Sequence, residues 1–235
     1  MKTKLVNIAI ILLMFVVTLI AIAYLPDTVP VHFDAFGNPD RMGSKYELLL
    51  IPASLVFVLV LSEISVGFFT KKLGNSDDEK QLSDAKTNEK TLNLILTITS
   101  AFMAVINCGI IYTTFASLDS YELPEVDMIK FTFIIVGAML IAMGNFMPKT
   151  RSNSLLGFRT KWSMYNDNTW RRSNLIGGYT MMIVGVLVAL SGLIFDGFTA
   201  AIVTLGLLTC AIAVMLIISY NIYKGEKNNE NLFEK

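Results

Sequence analysis

Six apolar runs, at 5–24, 46–69, 91–115, 128–147, 175–195 and 198–222, leave this chain few folding options. Each is long enough for a helix rising ~1.5 Å per residue to cross a ~30 Å hydrocarbon layer, which takes about 20 residues. Within that layer a helix satisfies its own backbone polar groups. The runs therefore predict an all-α membrane protein, a bundle of six transmembrane helices. Charged residues make up 16% of the chain, against about 25% in soluble domains. The longest connection, 148–174, is too short to bury a core of its own, so no separate soluble domain is expected.

Lysine and arginine assign the sides. With the first connection outside, the inside holds Lys2 and Lys4, five basic residues in 70–90, six in 148–174 and three in 223–235. That is sixteen of the 19. Outside lie Arg41 and Lys45, with Lys130 at the outer edge of the fourth helix. The positive-inside bias then puts both termini in the cytoplasm. The net charge is zero, so nothing draws the whole chain to nucleic acid; the bilayer is the partner that composition implies. Residues 1–72 form two helices around a patterned external loop, 25–45. A cytoplasmic polar loop, 73–90, leads to a four-helix region, 91–222, and a cytoplasmic tail, 223–235.

The first helix resembles a signal peptide, with Lys2 and Lys4 ahead of it and Ala21-Ile22-Ala23 at its end. Its apolar core is too long for one, so it is read as an uncleaved anchor. Cys108 and Cys210 fall inside helices and predict packing, not a disulfide. In the fifth helix Gly178, Gly185 and Gly192 recur every seven residues, with Ala189 between, a stripe that lets a neighbouring backbone approach. The fifth and sixth helices, joined by Asp196-Gly197, must be antiparallel neighbours.

The polar residues inside spans are few. Glu63 lies about two turns from Lys71 and Lys72, where an acid must be protonated, paired or wetted. Asn107 and Asn145 are its expected partners. Pro52 could kink the second helix. Loop 116–127 carries Asp119, Glu122, Glu125 and Asp127, an acidic outer patch.

In the first loop, Pro26, Pro30, Pro39, Gly37 and Gly43 forbid a continuous helix. Val29, Val31, Phe33 and Phe36 suit it to lie against the outer membrane face. His32 is the one histidine. With Asp34 and Asp40 it falls short of the three or four ligands zinc takes, so no metal is expected. The stretch 145–178 is the richest. Pro148 ends the fourth helix, and Lys149, Arg151, Arg159, Lys161, Arg171 and Arg172 gather positive charge. Both tryptophans of the chain, Trp162 and Trp170, lie here. Indole favours the headgroup layer, so the segment is expected to fold back along the inner face, pinned by both rings. Asn166 or Asp167 can cap a helix running into the fifth span. Arg159 and Thr160, with amides after Gly157, could hold an anion or a cytosolic protein. Paired metal motifs, a nucleophile elbow, a phosphate-binding glycine loop and a Cys-His arrangement are all missing, so neither an enzyme nor a cofactor is expected.

Two patterns resemble a known family. One comprises Asn145, Pro148, Lys149, Asn153, Gly157, Arg159, Thr160, Trp162, Trp170, Arg171, Gly177 and Gly178. It resembles the SdpI-like family of bacterial multi-pass membrane proteins. The other comprises Leu25, Pro26, Pro30, His32, Phe33, Gly37, Pro39, Asp40 and Lys45. It resembles the domain of unknown function 1648 often found at the front of such proteins. Lys161 stands where many relatives carry proline, and Ser173-Asn174 where they carry a histidine. The resemblance implies an immunity factor in the bacterial cell membrane. Such a factor protects against a secreted membrane-active peptide toxin and tethers a cytosolic repressor. Pro30, His32, Phe33, Gly37, Pro39, Asp40 and Lys45 would then face the toxin, and the 145–171 motif the regulator. The competing readings are a small-solute or ion transporter using Glu63, and a protein that binds lipid headgroups.

Overall fold

The structure is a computed structural model that describes residues 2–34, 39–73, 79–118, 127–149 and 157–233. Six helices carry the fold: α1 Lys2–Tyr24, α2 Leu50–Leu73, α3 Glu79–Ala116, α4 Met128–Phe146, α5 Asp167–Ile194 and α6 Gly197–Phe233. All six contain a stretch long and apolar enough to cross a membrane. Their outward faces are apolar; Leu12, Phe57, Ile183 and Ile217, for example, are all exposed, as suits side chains solvated by lipid. Consecutive helices alternate in direction, giving the bundle two ends. One holds both termini. The other holds the α1–α2, α3–α4 and α5–α6 junctions.

The first junction is not an irregular loop. It forms a two-stranded antiparallel hairpin, β1 Thr28–Phe33 and β2 Pro39–Ser44. The prolines that argue against helix also disguise a strand. Pro30 sits where the register shifts toward His32, and Pro39 opens β2, two positions where a missing N–H is tolerated. Val29 is fully buried and joins Leu25, Leu48, Ala21 and Ile111 in a core cluster that seats the hairpin on α1 and α3. A 3-10 turn, Lys45–Leu49, then leads into α2. It is capped by Ser44 and Glu47 in reciprocal contact with the backbone. Pro52 is buried as the third residue of α2, where its missing N–H has no helical partner to lose.

The helices form two three-helix groups. In the first, α1 and α2 both lean on α3. In the second, α4, α5 and α6 pack in sequence, and among the described elements α4 against α5 is the most extensive contact. The glycine stripe explains that contact. A methyl group on Gly185 would lie 2.6 Å from the Gly137 carbonyl, and one on Gly144 would lie 2.7 Å from the Gly178 carbonyl. The heptad glycines of α5 therefore pack inside the chain against α4, Gly178 and Gly185 on glycines and Gly192 on Phe133. The groups meet along α3 and α4, where Gly109 faces Phe131 and Met128.

Both α3 and α6 outrun a bilayer. At 37 residues, α6 is about 55 Å long against a ~30 Å apolar layer. The polar stretch expected as a loop at 73–90 is helical from Glu79 and forms the first turns of α3. Asp127 caps α4, and Asp196 accepts from Thr199 at the start of α6.

Candidate functional site

At the hairpin end, a cleft of about 360 Å³ opens between the two helix groups. The hairpin supplies Val31, His32, Phe33 and Asp34, α3 supplies Ile110 and Thr113, and α4 supplies Met128, Ile129, Thr132 and Phe133. The walls are mainly apolar, with two hydroxyls inside. His32 stands at the rim. Its Nδ1 lies 2.6 Å from Asp40 Oδ1, and both side chains are about half exposed. That contact links β1 to β2 and fixes the ring at the mouth.

The motif residues of this end divide into two roles. His32 and Phe33 face the cleft. Lys45 is a brace instead: it donates to the Leu25 carbonyl at 3.1 Å, contacts Asp27 at 3.1 Å and is only 15% exposed. Pro30 is buried. Asp40 partners His32, and Pro39 starts its strand. Gly37 lies outside the described residues. Gly43 has no room for a side chain, because one would overlap Glu47 and Val31. Arg41 closes the turn by pairing with Glu47 at 2.8 Å.

At the opposite end, residues 157–166 run as a strap across α5 and α6. Gly157 has φ +129°, a backbone that side chains disfavour, and Asn174 and Trp170 crowd its Cα. The Phe158 amide donates to Asn174 Oδ1 at 2.7 Å, and Asn174 Nδ2 donates to the Trp170 carbonyl. Ser163 is buried and donates to the Phe158 carbonyl at 2.7 Å. It also accepts from the Thr160 amide at 2.9 Å. Thr160, Ser173 and Ser219 continue the hydroxyl chain into α5 and α6. Asn166 caps α5 in a box with Thr169. The projecting turns of α6 hold the strap from outside: Tyr165 donates to Glu230 and Asn168 to Glu226.

The indoles do not act as a pair of headgroup anchors. Trp170 is 3% exposed and packs beneath Gly157, shielded from lipid by its own strap. Trp162 meets Tyr220 edge-on at 5.1 Å, with Lys161 over its ring. Ser173 and Asn174, in place of the relatives' histidine, are buried linkers of the strap. Arg159, Lys161 and Arg171 are exposed around it. Lys149 turns back to Asn145 Oδ1 at 3.0 Å, and Pro148 packs on Gly178. Asn153 lies outside the described residues. Glu63 takes neither expected partner. It pairs with Lys4 at 2.9 Å, and Lys4 also reaches Glu89 at 3.3 Å. Asn107 instead donates to Thr18 at 3.0 Å, deep between α1 and α3.

The sequence reading missed Ser163, Thr169, Asn174, Ser219, Glu226 and Glu230. Asn174, Ser219, Glu226 and Glu230 act on positions 16 to 65 residues away, while Ser163 and Thr169 bond within six residues, through a turn that starts at Thr160 and a capping box that starts at Asn166. Among the described residues, no group of three His, Cys, Asp or Glu could hold a metal ion.

Comparison with known proteins agrees at both ends. Residues 149–221 match the SdpI/YfhL protein family, and residues 9–56 match a Domain of unknown function (DUF1648). The chain is 24% identical over 95% of its length, and 97% of the other's, to the Immunity protein SdpI of Bacillus subtilis (strain 168). It is 29% identical over 57% of its length, and 80% of the other's, to an uncharacterized protein of Archaeoglobus fulgidus. No solved structure matches the chain.

Proposed function

We propose that the chain is an SdpI-like immunity factor of the bacterial cytoplasmic membrane, a reading supported by the match of residues 149–221 to the SdpI/YfhL protein family and by the likeness to an immunity protein. In this reading the hairpin end faces outward and both termini face the cytosol, as the distribution of lysine and arginine favours. A secreted, membrane-active peptide toxin enters the cleft beneath the hairpin. An amphipathic or apolar peptide would exchange lipid for Phe33, Ile110, Met128 and Phe133, and find polar partners in Thr113, Thr132 and His32. Sequestered there, it no longer assembles in the bilayer. The observation that carries the reading is similarity to an immunity protein along nearly the whole chain, the hairpin included.

The opposite face serves a second role. The strap presents Arg159, Lys161 and Arg171 on a rigid platform built by Asn174, Ser163 and Glu230. That exposed, cationic surface suits the tethering of a cytosolic repressor through acidic groups. The transporter reading needs Glu63 on a route through the bundle. Glu63 lies instead at one end, tied to Lys4.

Survival of a toxin-sensitive host tests the first role. Expression raises survival, and His32→Ala with Phe33→Ala removes the gain at unchanged membrane levels. Equal killing with and without the protein rejects the proposal.

A further inference from the structure

Two polar patches interrupt the apolar seam between α1 and α3. The one nearer the hairpin is self-sufficient, with Asn107 donating to Thr18 at 3.0 Å. The one nearer the termini is not. There Thr97 Oγ1 lies 2.7 Å from Asn7 Oδ1 and 2.7 Å from the Asn93 carbonyl. Asn93 Nδ2 donates to the Glu89 carbonyl at 2.9 Å. This leaves Asn7 Nδ2, a donor, and Asn93 Oδ1, an acceptor, with no protein partner. The residues are 0% and 5% exposed.

Exchanging nitrogen and oxygen in either amide does not cure this. A turned Asn7 would donate Nδ2 to the Thr97 oxygen and free the one Thr97 proton for the Asn93 carbonyl, but it would leave Oδ1 orphaned in place of Nδ2, and a turned Asn93 would set its oxygen against the Glu89 carbonyl. Each buried orphan has lost its hydrogen bond to bulk water with nothing from the protein to replace it. The Thr97 oxygen, 2.7 Å from both Asn7 Oδ1 and the Asn93 carbonyl, holds the residues that bear the orphans within two hydrogen-bond lengths of each other. A water molecule, with two protons to donate and two lone pairs to accept, satisfies both orphans in either orientation of the Asn7 amide.

The route in is also visible. Lys4 lies one turn before Asn7, and Glu89 one turn before Asn93. Lys4 bridges Glu89 and Glu63 at a rim whose three side chains are 30–43% exposed. Beyond the asparagines, Ile11, Met14, Leu55 and Met103 close the seam with apolar packing.

We infer that the terminal third of the α1–α3 seam is a hydration site. A water molecule bridges Asn7 and Asn93, reached past the Lys4–Glu63–Glu89 rim and stopped by Met14 and Met103. It forms a vestibule open at one end, which brings solvent to Glu63 and Glu89 without a path through the membrane. The inference is independent of the toxin reading.

Thiol accessibility tests it. In full-length protein lacking Cys108 and Cys210, Thr97→Cys and Met103→Cys each place one thiol on the seam. A small water-soluble thiosulfonate modifies the thiol at 97 at least about tenfold faster, since the one at 103 waits for local opening. Equal rates overturn the inference. A second measurement covers a Thr97 variant that fails to fold. Asn7→Leu and Asn93→Leu each lower the melting temperature, and the double variant falls no further than the worse single, as a shared bridge requires. Additive losses, or a gain from either single change, overturn it.

Discussion

At the residue scale, the tightest constraints are glycines and caps. Gly137 lies against the Gly185 carbonyl and Ala189. Gly137→Leu must push α4 off α5, and overpacking of this kind costs about 1–3 kcal/mol. Gly206 has open space around its Cα, so Gly206→Ala leaves thermal stability in detergent unchanged or slightly raised. The heptad glycines of α5 were visible in the sequence, but their partners Gly144, Gly137 and Phe133 were not, because nothing local pairs the two helices. Asp127 behaves differently. Desolvation raises its pKa, yet hydrogen bonds from the Lys130 and Ile129 amides and the Lys130 charge outweigh that and hold it below the usual carboxylate value. A lowered folded pKa contributes stability above the unfolded value of about 3.9, and that stability disappears as pH falls through the folded value. Asp127→Asn therefore flattens the acid limb of a melting-temperature profile.

At the scale of elements, the strap and the hairpin are held by single side chains reaching across the chain. Asn174→Ala removes the acceptor of the Phe158 amide and costs about 1–3 kcal/mol where that amide stays buried. Limited proteolysis of the strap then accelerates while α1–α3 remains resistant. Uniform protection across both halves would show that Asn174 is not the anchor. The strap's cap at Asn166 was legible, since capping is a property of four consecutive residues. Its seat on Glu226 and Glu230 was not, because those residues follow some sixty positions later. The hairpin was hidden for another reason. Its prolines satisfy strand geometry only at a bulge and an edge, and neither position is marked in the composition of the loop.

At the scale of the whole molecule, two three-helix groups meet along α3 and α4, with the cleft at one end of that contact. Gly109 packs on Phe131, and Phe133, two residues further on, lines the cleft. Gly109→Leu displaces the Phe131 and Met128 side chains and reshapes the cleft without touching the hairpin. Protection against toxin falls while the strap stays protease-resistant. Protection equal to wild type would separate the cleft from immunity.

Hydropathy and charge are sums over neighbouring residues, so the sequence alone determined six spans, their alternation, the cap at Asn166 and the family that the two motifs resemble. Which residues touch was decided in three dimensions. Glu63 found Lys4 rather than Asn107, Trp170 turned inward beneath Gly157, and Lys45 became a brace instead of a ligand contact. In lipid an apolar face has almost nothing to gain from choosing one apolar neighbour over another. Helix pairing there rests on close-approach glycines and a few polar bonds, and both are relations between distant positions that no window along the chain contains.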